Sequence, residues 1–209
     1  MPNANYLWIN QFATALNENG RAALVMANSA SDAGNSEKDI RVKLIESGII
    51  SQMVTLPSNM FTSVTLPATL WFFDKGKPEA IQDKVLFLDA RNYYTVVDRT
   101  LNEWSEWQLK NLNAIVWLYR GEVDKYHNLL KEYQTVLGCE LPFAEKAALL
   151  TGEIAALRAE AKKSVEDAAK REKKKVQAEY DEKISALEEI LTIAKEAVWL
   201  YEKIRRGQI

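Results

Sequence analysis

Apolar positions change their spacing twice along the chain, and each change marks a different kind of element. From Tyr6 to Asn17, Leu7, Ile9, Phe12, Ala13 and Leu16 recur at helical spacing, and Asn19-Gly20 supplies a left-handed residue of the kind that ends helices. Ala22 to Ala27 is then apolar at every position, the reading of a central parallel strand covered on both faces. A polar loop, Asn28 to Asn35, leads to a helix that Ser36 is placed to cap, with Ile40, Val42, Leu44 and Ile45 as its buried side and Gly48 as its stop. Strand, helix and strand in that order predict a βαβ crossover.

The next strand is Met53 to Pro57, and Pro57 ends its pairing because proline has no N–H to donate. Thr69 to Phe73 is a further β-rich run. The connection between them holds no helix, so the two strands are predicted to be antiparallel neighbours. Lys75 to Pro78 turns the chain and Val85 to Asp89 offers one more strand. The sheet expected is mainly parallel, with one reversed strand at its end.

Strand signals stop at Thr100. Trp104, Trp107, Leu109, Leu112, Ile115, Val116 and Leu118 predict a helical segment over 101–142, with breaks at Gly121 or at Gly138 and Pro142. Beyond Gly152 neither glycine nor proline occurs until Gly207, and a seam of steps of three and four runs from Ile154 through Leu157, Ala161 and Val165 to Leu187, Leu191 and Tyr201. One unbroken helix of that length would reach roughly 80 Å, so the seam must be covered by something. A helical hairpin turning near Lys170 to Lys175 and a straight helix pairing with another chain both satisfy it; the lack of a turn residue favours the straight helix. The chain thus divides into an α/β part (1–100), a helical segment (101–142) and a long coiled-coil-like tail (143–209).

Composition narrows the chemistry. A formal charge of −2 gives no global reason to bind nucleic acid. The basic run at residues 170–175 reads first as a solvated helix face, with Glu166, Asp167, Glu172 and Glu179 beside it. Cys139 is the only cysteine and His127 the only histidine, which excludes an internal disulfide and a His/Cys zinc cluster and fits a reducing cytoplasm. His127 has no acid or nucleophile motif around it. No apolar run is long enough to cross a bilayer, so no membrane partner is expected.

Five segments carry a resemblance. Asn3 to Ile9, Asn19 to Asn28, Leu56-Pro57-Ser58-Asn59-Met60-Phe61, Leu66 to Phe72 and Val85 to Arg91 resemble, in order and spacing, the methyltransferase subunit of type I restriction-modification systems. The likeness covers Asn3 to about Thr100 and returns weakly at Leu112 to Tyr119. It implies part of a Rossmann-like, seven-stranded sheet from a DNA N6-adenine methyltransferase. The intact enzyme would use S-adenosylmethionine and work with a specificity subunit, a restriction subunit and DNA. The family's glycine-containing cofactor loop and Asn-Pro-Pro-Phe catalytic loop occur nowhere in this sequence, and Pro2-Asn3 is not that catalytic loop. The resemblance therefore implies a carboxyl-terminal fragment without catalytic residues of its own, inactive alone and not expected to bind the cofactor.

In related adenine methyltransferases an aromatic on the loop before the reversed strand stacks on the flipped adenine, and Phe61 matches that placement; its other reading is a plug against Leu66 or Trp71. Asn28 and Pro57 line the same end of the sheet, where open α/β sheets bind ligands. Asp32 reads as loop chemistry, Arg41 and Lys43 as an exposed helix face able to reach phosphate, and Trp104, Trp107 and Trp117 as core or a partner surface. The alternative function is a non-catalytic module on an α/β scaffold whose coil mediates self-association or oligomerisation.

Overall fold

A computed structural model describes residues 4–32 and 34–207. The readings on Pro2 and Asn3, and on Ala33 within the polar loop, lie outside the described residues. The chain forms two compact units, Met1–Leu109 with Val116–Gly121, and Lys110–Ile115 with Glu122–Ile209.

In the first unit the elements are α1 (Asn5–Ala15), β1 (Arg21–Ala27), α2 (Ser29–Asp32), α3 (Asn35–Glu46), β2 (Ile50–Thr55), β3 (Ala68–Asp74), β4 (Leu86–Asp89), β5 (Thr95–Val96) and β6 (Asn102–Glu103). The large sheet has the order β1-β3-β2-β4, and β5 and β6 form a separate ribbon. β3 runs antiparallel to both β1 and β2, while β2 and β4 pair in parallel. The Met53 and Thr69 strands are antiparallel neighbours, as their helix-free connection requires. Two expectations need correction. The reversed strand is interior, not terminal, so most hydrogen-bonded pairs are antiparallel and the sheet is mixed. Among the described residues β1 is bonded on one side only, by β3.

Both corrections have one cause. Helix α3 carries the chain from β1 to β2, leaving a strand-wide gap between two strands that run the same way. β3 fills it. The most apolar run of the chain thereby gains ladder partners on both sides, and Trp71 and Phe73 are 0% and 1% exposed. The face carrying Ala22, Leu24, Met26, Met53 and Trp71 packs on Tyr6, Ile9 and Ala13 of α1 and Leu44 of α3, with the Tyr6 and Trp71 rings edge to face at 6.4 Å. The alternate positions of β1 are left open, and Val25 is 52% exposed.

Local details depart from the simplest reading of the sequence in three places. α1 ends at Ala15 with Leu16 extended, and Gly20 is not left-handed; a Cβ there would lie 2.8 Å from Asn17 Oδ1 and 3.1 Å from Asn17 N and Leu16 Cβ, so a larger residue would push the Asn17 side chain aside. α3 begins one residue before Ser36, with Gly34 at its cap and no side-chain cap, so Ser36 lies inside the first turn. Of its expected buried side only Leu44 is buried; Ile40, Val42 and Ile45 are exposed. Gly48, Gly121 and Gly138 do stop their helices in the left-handed region.

The first unit closes on a buried ion cluster. Asp74, at the end of β3, is 2% exposed and receives Arg120 Nη1 at 2.7 Å, Arg21 Nε at 3.1 Å and the Gly76 amide at 2.8 Å. Burial pushes the carboxyl up, but the Arg120 and Gly76 hydrogen bonds and the two guanidinium charges outweigh it and hold it below its ordinary value.

The second unit holds residues 110–115 of α4 (Glu106–Tyr119), with α5 (Val123–Leu137), α6 (Ala144–Asp167) and α7 (Lys173–Arg205). Its centre is polar and satisfied. Asn111, fully buried, donates from Nδ2 to the Glu196 carbonyl at 3.1 Å and accepts from the Tyr133 hydroxyl at 2.8 Å. Ala194, Ala197 and Leu200 of α7 are fully buried, and the Phe143 ring meets those of Tyr133 and Tyr201 at 5.8 and 6.2 Å.

The tail is not the straight helix favoured by its lack of turn residues. α6 and α7 are antiparallel, joined through residues 168–172, with Arg158 paired to Glu188 and the Tyr180 hydroxyl against Glu160 Oε1 at 2.9 Å and Ser164 Oγ at 3.1 Å. No glycine is needed at the turn because Ala168 takes an extended conformation open to any L residue. The seam is covered within the chain, and Ala161, Ile184 and Leu191 are buried.

Arg120→Met leaves the Asp74 carboxylate short of its main partner and should cost about 3 kcal/mol in urea unfolding at neutral pH. Because Asp74 is depressed in the folded state, its contribution is present above the unfolded value near 3.8 and lost as pH falls through the folded one. The gap between wild type and variant should therefore close in acid; a gap that persists there would assign the cost to lost packing instead.

Candidate functional site

Strands β1, β2 and β4 run in one direction, so their carboxyl ends share an edge, and β3 starts there. This edge carries Asn28 after β1, Pro57 and residues 58–67 after β2, and Asp89 to Arg91 at the end of β4. The loop from 58 to 67 is built by identifiable constraints. Leu56 N donates to Ala68 O at 2.8 Å, carrying the β2–β3 pairing to Pro57, whose buried ring has no N–H and ends it. Asn59 is left-handed at φ 58°, and its N–H reaches Thr65 O at 3.2 Å. Phe61 and Val64 face each other across an antiparallel bridge at the loop tip.

The base of this loop is held from outside. Asn102 of β6, 7% exposed, donates its backbone N–H to Asn59 O at 2.8 Å and its Nδ2 to Ser58 O at 2.9 Å. The ribbon that bears Asn102 is fixed in turn: Trp104 Nε1 donates to Tyr93 O at 2.6 Å, and Thr95 Oγ1 donates to Gln108 Oε1 at 3.1 Å. Gln108 completes a capping box with Ser105 at the start of α4. The loop base is thus held by these bonds, and the tip offers Phe61, Val64 and Leu66 at 37%, 48% and 71% exposure.

The sequence-predicted residues are distributed unevenly over this edge. Phe61 stands at the tip and is not sealed into the sheet, whereas Trp71 is wholly inside the core. Asn28 is half-buried, and its Oδ1 accepts from Thr69 Oγ1 at 2.8 Å, which ties the end of β1 to β3. Pro57 is fully buried and shapes the loop from beneath. Asp32 is exposed on α2. Arg41 is turned inward: its Nη1 donates to the Tyr6 hydroxyl at 3.0 Å and lies 3.4 Å from Ala30 O. Lys43 is exposed, Trp104, Trp107 and Trp117 are half-buried, and His127 is exposed on α5 beside the Tyr126 ring.

Two features of the edge escape sequence reasoning. Asn102 lies after the point where strand signals stop, on a ribbon strand of two residues, and nothing local marks it. Asp89 and Arg91 form a fork, Nε to Oδ1 at 2.8 Å and Nη2 to Oδ2 at 2.6 Å, which with the Arg91 amide holds the Asp89 carboxyl down at about 2. Their i, i+2 spacing at a strand end was legible.

Among the described residues no group of three His, Cys, Asp or Glu side chains is placed to hold a metal, and no helix is long and apolar enough to cross a membrane. S-adenosylmethionine presents an adenosyl group, an ammonium, a carboxylate and a sulfonium. At this edge the Asn28 amide oxygen is engaged by Thr69 and the Asp89 carboxylate by Arg91. These residues do not by themselves fit the cofactor.

The edge is thus the shared carboxyl end of β1, β2 and β4 in a mixed α/β sheet with a braced aromatic loop, and residues 1–134 match the N-6 DNA Methylase family: the chain belongs to it. Within that family the likeness is to methylase subunits of type I restriction enzymes. The MjaIX methylase subunit of Methanocaldococcus jannaschii is 42% identical over 110 residues, covering 53% of this chain and 20% of that one. The HindI methylase subunit of Haemophilus influenzae is 36% identical over 104 residues, covering 49% and 23%. The solved methyltransferase subunit of a type I restriction-modification system from Streptococcus thermophilus is 27% identical with a TM-score of 0.48, covering 54% of this chain and 24% of its own. The chain therefore spans about a fifth of the length of the curated relatives it matches.

Asn102→Leu keeps the backbone bond to Asn59 but strips the donor from Ser58 O, a loss of about 1–2 kcal/mol at the loop base. Amide hydrogen exchange at residues 59–65 should quicken by about tenfold while that of β3 stays put. Equal exchange in both proteins would show that the loop is ordered without Asn102.

Proposed function

We propose that this chain forms the target-base side of an S-adenosylmethionine-dependent DNA adenine-N6 methyltransferase of the type I restriction-modification class, with Phe61 as the face on which the extruded adenine stacks. The observation that carries the reading is an exposed aromatic on a loop braced by Asn102, at the strand-end edge where such sheets take ligands.

The chemistry explains why a braced aromatic is useful. The adenine amino nitrogen is a weak nucleophile whose target atom is inaccessible inside a duplex, so the base must leave the stack before it is methylated. The cofactor supplies the electrophilic methyl group. This chain's part is to bind and orient: a Phe61 ring held on a fixed loop base repays part of the unstacking cost, at about 1–3 kcal/mol per stacked base. Val64 and Leu66 beside it are apolar and exclude water from one side of the extruded ring. The acceptors that hold the amino hydrogens in this family belong to the Asn-Pro-Pro-Phe loop, which is not in this sequence.

The helical part from residue 143 onward is then the arm for assembly with a specificity subunit, in a complex that includes the restriction subunit, in the cytoplasm. The alternative, a coil whose purpose is self-association, loses its main support because the α6–α7 seam is covered within the chain.

In the assembled enzyme, Phe61→Ala should reduce the fluorescence gain of 2-aminopurine at the target base and lower methylation by about 10- to 100-fold, matching the stacking energy. Unchanged fluorescence together with unchanged methylation would overturn the assignment.

A further inference from the structure

The turn of the α6–α7 hairpin gathers positive charge. Between residues 162 and 175 the sequence places seven cations against three carboxylates, in a chain whose net charge is −2. As one helix face this run would read as solvated surface laced with i, i+4 acids. The structure puts it at the end of a two-helix projection, where none of residues 162–183 is buried. Lys173 Nζ donates to Glu166 O at 3.1 Å, and Lys175 stands 4.0 Å from Glu179. Lys162, Lys163, Lys170, Arg171 and Lys174 make no ion pair among the described residues.

The helix ends at this tip also carry the wrong charges for their own dipoles. Lys173, Lys174 and Lys175 occupy the first turn of α7 with no acid there, while Glu166 and Asp167 occupy the last turn of α6 with no base. Each mismatch opposes its helix dipole. Lys173 offsets part of this by capping Glu166 O, but Lys174 gains no ion pair among the described residues, and local choices that oppose folding mark sites selected for something else. The tip has no large apolar side chain between residues 162 and 175 beyond Val165, so it lacks the anchor that a membrane-surface segment needs.

We infer that the tip of the α6–α7 hairpin, centred on Lys170, Arg171 and Lys174, is a docking surface for the phosphate backbone of duplex DNA. The inference rests on the reading of the chain as part of a DNA methyltransferase, and it adds a contact remote in sequence from the Phe61 loop. Exposed, unpaired lysines and an arginine at the turn suit phosphate, and such contacts position a protein on DNA without reading its sequence.

The test uses the full chain and a fluorescent duplex of about three helical turns with no chosen sequence, titrated across a range of salt. Wild type should bind with an affinity that falls linearly in log salt, and K170Q/R171Q/K174Q should bind about tenfold more weakly with a slope smaller by about 2–3. A charge-matched control, K38Q/K131Q/K195Q, should keep the wild-type slope, and circular dichroism should show the same helix content in all three. No binding by wild type at low salt, an unchanged slope in the tip variant, an equal loss in the control, or stronger partition onto phosphatidylglycerol vesicles than onto DNA would each overturn the inference. In the assembled enzyme, a Phe61-dependent 2-aminopurine signal alongside a tip that does not bind would sink the tip alone; a tip that binds in an enzyme without that signal would sink the base-stacking reading alone.

Discussion

Everything in the α/β unit hangs on β3 being hydrogen-bonded along both edges. A strand reversed between two strands of opposite sense satisfies all its backbone groups, so the apolar run from Leu70 to Phe73 can be buried without leaving an N–H or C=O stranded. Three consequences follow from that position. Its amino end defines where the 58–67 loop must return, its Thr69 hydroxyl binds Asn28 at the end of β1, and its carboxyl end plants Asp74 under two arginines. Loop, sheet edge and ion cluster are fixed by one strand.

The two units solve the same problem in different chemistry. The α/β unit buries a charge, and the carboxylate of Asp74 is tolerable there because three donor contacts, from Arg120, Arg21 and the Gly76 amide, replace its water. The helical unit buries a neutral amide, Asn111, whose donor and acceptor are both used, by Glu196 and Tyr133. Burial and the nearby Glu196 charge push the Tyr133 hydroxyl far above its ordinary value, so it remains a donor at any physiological pH. Both polar centres specify one arrangement over others, since any slip leaves a buried group unsatisfied.

Much of this was legible along the chain, and the misses share a pattern. Strand and helix positions followed from apolar spacing, and the β2–β3 pairing followed from a connection too poor in helix to cross the sheet. The ends of elements were less legible: Gly20 looked like a left-handed stop but is not left-handed and sits tight against Asn17 and Leu16, and Ser36 looked like a cap but sits two residues past it. Phe61 could be located from its loop and its resemblance, whereas Asn102, which braces that loop from 43 residues downstream of Asn59, left no local trace because hydrogen bonds between distant segments impose no spacing.

By itself the sequence determined the alternation of strands and helices, the loop that carries Phe61, the absence of the cofactor and catalytic loops, and membership in a methylase lineage by five ordered segments. Only the tertiary structure decided where β3 inserts, that β1 lies at an edge, and that the tail folds back on itself. Those choices are global. A strand's neighbours and a seam's partner are set by which arrangement covers the most apolar surface while leaving no backbone group unpaired, and periodicity records that a face must be covered without recording what covers it.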